Sequence, residues 1–82
     1  MIALNRAIAV GFRDGYDAGL GELAVLDGLD AYPLLPAARG DFLRRLGRHQ
    51  EARHAYRDAL GLTREGTPER RLLERRLVEV GG

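Results

Sequence analysis

Apolar residues recur along this chain at helical spacing, and no stretch of four or more residues alternates apolar and polar as a half-buried strand does. The pattern predicts an all-α domain of five helices. The first, about residues 2–12 ("IALNRAIAVGF"), is clearly polar only at Asn5 and Arg6, so it is expected to be covered on more than one side. It begins at Met1 with no capping residue before it, which suggests a fragment of something longer. "RDG" at Arg13–Gly15 ends it, because glycine takes the left-handed conformation that closes a helix. A second helix is expected at about 16–29, with Leu20, Leu23, Ala24 and Leu26 on one broad stripe. Pro33 suits the first turn of the third, which runs to about Leu46 with Leu35, Ala38, Phe42, Leu43 and Leu46 inward. Gly47 breaks it. The fourth helix covers about 48–62. "TREGTPE" then supplies Thr67 as N-cap and Pro68 as first helical residue of the last helix, 68–80, whose apolar seam is Leu72, Leu73, Leu77 and Val80. On its wet side Arg70/Glu74 and Arg75/Glu79 are spaced for i,i+4 pairs.

Two helical hairpins of similar length suggest internal repetition. The break glycines Gly15 and Gly47 stand 32 residues apart, and the same shift lays Leu20 on Ala52 and Ala24 on Tyr56. That period is close to the roughly 34 residues of a tetratricopeptide repeat. In the second unit Gly40, Leu43, Gly47, Ala52, Tyr56 and Ala59 reproduce the motif's spacing, with Leu in place of its first aromatic. The reason is steric: Gly40 and Ala52 let paired helices approach, and Tyr56 fills the gap towards the next hairpin. The first unit is degenerate, with Ile8 for the small glycine and Asp27 for the small alanine. The expected architecture is one domain over 1–82: two antiparallel hairpins (tetratricopeptide-like repeats, units about 1–31 and 32–65) and a C-terminal capping helix at 68–80.

With 82 residues the chain can bury roughly two-thirds of its unfolded surface, enough for a modest core without staples. It has no cysteine, which excludes disulfides and thiolate metal sites, and no serine or lysine, which removes further common nucleophiles of covalent catalysis. The expectation is a non-enzyme without cofactor or metal. Apolar runs fall far short of the roughly 20 residues of a membrane span, and no basic segment leads into an apolar one at the start. A cytoplasmic protein with no membrane partner is expected. Net charge is only +1 but unevenly placed: residues 1–38 hold 2 Arg and 5 acids, residues 39–57 hold 6 Arg and 2 acids, and the remainder balances.

The eye-catching cluster is "GRHQEARHAYRDAL", Gly47–Leu60. His49 and His54 lie five positions apart, about 140° around a helix, so one metal ion does not reach both; Glu51 is spaced for a local contact with His54. The aromatics of the basic stretch 39–57, Phe42 and Tyr56, are assigned to packing rather than base stacking, and Asp41, Glu51 and Asp58 dilute its charge, so an acidic protein surface suits it better than nucleic acid. In a tetratricopeptide hairpin the first helices line the concave groove. The repeat phasing puts Asn5, Ala9, Phe12 and Arg13 there from the first unit, and Leu34, Ala37, Asp41, Arg44 and Arg45 from the second. Asn5, Phe12, Arg13, Asp41, Arg44 and Arg45 are the candidate protein-binding residues.

Three segments carry a closer likeness: "LNRAIAV" (Leu4–Val10), "YPLLPAARGDFLRRLGRHQEARHAYRDALGLT" (Tyr32–Thr63) and "ERRLLERRLVEV" (Glu69–Val80). In this order they resemble the C-terminal tetratricopeptide-like extension of actinobacterial-type extracytoplasmic-function RNA polymerase sigma factors. The resemblance covers nearly the whole chain. It implies a non-catalytic interaction or regulatory module that supports transcription initiation through protein contacts: with its own sigma regions, RNA polymerase or a regulatory protein. DNA would be reached only through sigma regions outside this chain. A fragment with an uncovered apolar first helix is also expected to form a homodimer. A stand-alone tetratricopeptide scaffold, or nucleic-acid contact through 39–57, stays open as an alternative.

Overall fold

A computed structural model describes residues 2–26, 28–29 and 31–81, and its regular elements are all helical: α1 Ile2–Asp14, α2 Tyr16–Ala24, α3 Leu34–Arg45, α4 His49–Gly61 and α5 Pro68–Glu79. Consecutive helices pack as hairpins, α1 on α2 and α3 on α4, with α2 meeting α3 and α4 meeting α5. The chain folds in one direction, each element covering the one before it. No described helix is long and apolar enough to cross a membrane.

The turns follow from glycine. Gly15 has φ 114° between α1 and α2, and Gly47 has φ 79° after α3. At the second turn the Arg48 amide donates to the Leu43 carbonyl at 2.9 Å and the Gly47 amide to the Arg44 carbonyl at 3.0 Å, the two closing bonds of a left-handed helix stop. α5 starts as its sequence dictates: the Thr67 hydroxyl accepts from the Arg70 amide at 3.2 Å, with Pro68 at the position where a missing N–H is harmless.

The core has two parts that meet on α3. Leu4, Ala7, Leu23, Leu35, Ala38 and Phe42 fill the space between the first hairpin and α3. Leu43, Ala52, Ala55, Tyr56, Ala59, Leu73 and Val80 fill the space from α3 through α4 to α5. Phe42 and Leu43, adjacent in sequence, thus face opposite halves. Leu20 packs against both.

Four expectations are corrected. α2 ends at Ala24 rather than near residue 29: Gly28 has φ 78°, which no helix continues through, and Leu26 and Leu29 reach the core from the connecting segment. In the first hairpin the close-packed small residues are Gly11 and Gly19, not a residue at the place of Ile8. A Cβ on Gly19 would stand 2.6 Å from the Gly11 Cα, and a Cβ on Gly11 would run into the Phe42 ring. Arg76, not Arg75, pairs with Glu79, at 2.9 Å. Leu72, assigned to the buried seam of α5, is 45% exposed, because α5 turns Leu73 and Val80 inward. Asp27, assigned to a repeat position, lies outside the described residues, as does Met1.

Candidate protein-binding groove

α1, α3 and α5 share one face of the molecule and enclose an open groove of about 670 Å³. Ile8 and Phe12 form the α1 wall, and Leu34, Ala37, Ala38, Asp41 and Phe42 the α3 floor. Leu72, Leu73, Glu69 and Arg76 form the α5 wall, with Tyr32, Pro33, Leu62, Thr63, Arg64 and Thr67 from the connecting segments at its ends. Eight large apolar residues are exposed among the described ones, and five of them (Phe12, Tyr32, Leu34, Leu62 and Leu72) line this groove. Ile2, Val25 and Val78 lie elsewhere. Exposed apolar surface is ordinary when scattered; gathered in one concavity it makes this groove the candidate site.

Of the four charged residues that line the groove, Asp41 and Arg76 are held in place. The Tyr56 hydroxyl donates to Asp41 Oδ1 at 2.6 Å and accepts from Arg44 Nε at 3.1 Å, while Arg44 Nη2 stands 3.8 Å from the same carboxylate oxygen. Tyr56 itself is fully buried over Gly40, where an added Cβ would come within 2.7 Å of the ring. Burial, and next the carboxylate acceptor, push its hydroxyl up to about 12, against the opposing effect of Arg44. On the other wall Arg76 is held by Glu79. Phe12, 58% exposed, is fixed edge-on against Tyr16 and Phe42 with centroids 6.0 and 5.7 Å apart. The Arg45 guanidinium lies over it at 5.1 Å and donates to the Tyr16 hydroxyl at 3.1 Å. That cluster ties α3 to both helices of the first hairpin and presents Phe12 as a rigid aromatic on the rim.

Of the six residues expected to bind, Phe12 and Asp41 line the groove. Arg44 stands behind Asp41 as its brace, and Arg45 covers the outer side of Phe12. Asn5 and Arg13 are exposed on α1 outside it. Asn5 lies nearly a turn before Ile8, whereas Arg13 is rotated about 100° from Phe12 and pairs with Asp14 at 2.9 Å. The α5 wall was not anticipated. A signal for it was present in the spacing, since α5 starts at Pro68, 34 residues after α3 starts at Leu34, close to the period read along the sequence.

The conspicuous Gly47–Leu60 stretch is structural. His49 and His54 are both exposed, and Glu51 pairs with Arg48 at 2.7 Å rather than with His54; that hydrogen-bonded arginine holds the Glu51 carboxyl below its ordinary range. Among the described residues no cluster of His, Asp and Glu could hold a metal ion. Within the basic stretch Arg44, Arg45, Arg48 and Arg53 all make bonds inside the fold, Arg53 to the Val80 carbonyl at 2.6 Å. Comparison of this chain with protein families, with curated proteins and with solved structures gives no match.

Proposed function

We propose that this chain is a non-catalytic protein-interaction module, of the regulatory kind that the sequence resemblance implies for the C-terminal extension of an extracytoplasmic-function sigma factor. It would support transcription initiation through protein contacts in the cytoplasm, made by the groove between α1, α3 and α5. The observation that carries the reading is the convergence of five exposed apolar side chains in that one concavity. Direct nucleic-acid contact through 39–57 is less favoured because Arg44 and Arg48 are paired with Asp41 and Glu51, leaving less net charge for phosphates.

Titration of the purified chain with labelled sigma regions of the same class tests this reading. Saturable binding is expected for the wild type, with loss in a Leu34→Glu/Leu72→Glu variant that keeps its far-ultraviolet helical signal. Equal binding by that folded variant contradicts the groove as the contact.

A further inference from the structure

Resting on that reading, we propose that the groove takes an amphipathic α-helix with an uncharged apolar stripe, rather than an extended peptide, a charged tail or a second copy of this chain. The first argument concerns backbone polarity. Three walls of the groove are the sides of helices, joined by residues of the connecting segments, and the described residues contain no strand whose edge could pair with an extended segment. An extended segment laid in it would bury amides and carbonyls with nothing to receive them; a helix satisfies its own. The second concerns charge. The lining holds two acids, Asp41 and Glu69, and two bases, Arg64 and Arg76, and Asp41 and Arg76 are neutralised by Arg44 and Glu79. Such walls select neither an acidic nor a basic tail. The third concerns size. About 670 Å³ receives a few large side chains, which is what one face of a single helix presents. Residues at i, i+3, i+4 and i+7 of a helix span about 10 Å and would meet Phe12, Leu34 and Leu72 in turn.

The probe is a synthetic 15-residue peptide of balanced charge with leucines at i, i+3, i+4 and i+7, titrated by fluorescence anisotropy. Two controls accompany it: the same peptide with a central proline, and a scrambled one whose leucines no longer share a face. The helical peptide is expected to bind, and the proline and scrambled versions to bind at least about tenfold more weakly. Leu72→Glu, checked for folding by circular dichroism, should weaken the helical peptide by a similar factor. If the proline peptide binds as well as the helical one and Leu72→Glu abolishes both, the helical occupant is wrong while the groove stands. If none binds, and the sigma-region titration is also negative, both readings fall; if only that titration is positive, the uncharged helix falls alone. Concentration-dependent dimerisation abolished by Leu72→Glu assigns the groove to a second copy and overturns the proposal.

Discussion

Gly40 and Gly21 are both helical glycines, yet their surroundings are opposite. A Cβ at Gly40 would lie 2.7 Å from the Tyr56 ring, which is fully buried and has nowhere to retreat. Nothing stands within 4 Å of a Cβ at Gly21. Gly40→Ala is therefore expected to cost about 1–3 kcal/mol through overpacking, and Gly21→Ala to add about 0.5–1 kcal/mol through helix propensity; urea unfolding of the two variants measures both signs. Tyr56 makes a second residue-scale prediction. Its hydroxyl ionises near 10 when unfolded and near 12 when folded, so the folded state holds the proton more tightly. That contribution is intact below pH 10 and is lost as pH rises from 10 towards 12. Thermal melts of the wild type should fall across this window more steeply than those of Tyr56→Phe. The variant itself should be less stable at pH 7 by about 1 kcal/mol, for the bonds to Asp41 and Arg44 that it lacks. Parallel alkaline melting curves would contradict the burial of this hydroxyl.

At the scale of elements, α4 and α5 hold each other's ends. Arg70 of α5 donates to the Leu60 and Thr63 carbonyls at the end of α4, at 3.0 and 3.2 Å, and Arg53 of α4 donates to the Val80 carbonyl at the end of α5. Cationic donors on C-terminal carbonyls complement the helix dipole and satisfy groups the helix leaves open. Arg70→Ala should destabilise the domain by about 1–2 kcal/mol, and Arg70→Lys should recover only part, because a point charge does not serve two carbonyls as a guanidinium does. A full recovery by lysine in chemical denaturation would show that the charge alone matters. The sequence reads Arg70 only as half of an exposed pair with Glu74, which does exist at 3.7 Å. Local spacing reveals i,i+4 neighbours; it does not reveal a bond across ten residues to a carbonyl. The same limit explains the first hairpin. Repeat phasing set Ile8 where the small glycine belongs and so read the unit as degenerate; it did not show that Gly11 and Gly19 make the close approach, because Phe42 from α3 enters from outside the hairpin and needs room there. Helix number, turn glycines and the Thr67 cap were legible because each depends on neighbours in sequence.

For the molecule as a whole, the groove was half legible. Phe12, Leu34, Ala37 and Asp41 follow from the rule that first helices share a face, but the α5 wall follows only once the capping helix is counted as the start of another unit. Four of the six arginines of the basic stretch, prominent in sequence, bond within the chain, and five of the eight exposed large apolar residues, inconspicuous in sequence, gather in one groove. Along the apolar α1, Leu4, Ala7 and Gly11 are buried, and the exposed Ile2, Ala3, Ala9 and Phe12 are interspersed with Asn5, Arg6 and Arg13. The central claim is that partners are received between α1, α3 and α5. Backbone amide shift mapping by NMR, with the uncharged amphipathic helical peptide added to the labelled chain, tests it most directly. Perturbations concentrated at Phe12, Leu34, Ala37, Leu62 and Leu72, with α2 unaffected, are the predicted result; perturbations centred on Arg48–Arg57 or on α2 would contradict it.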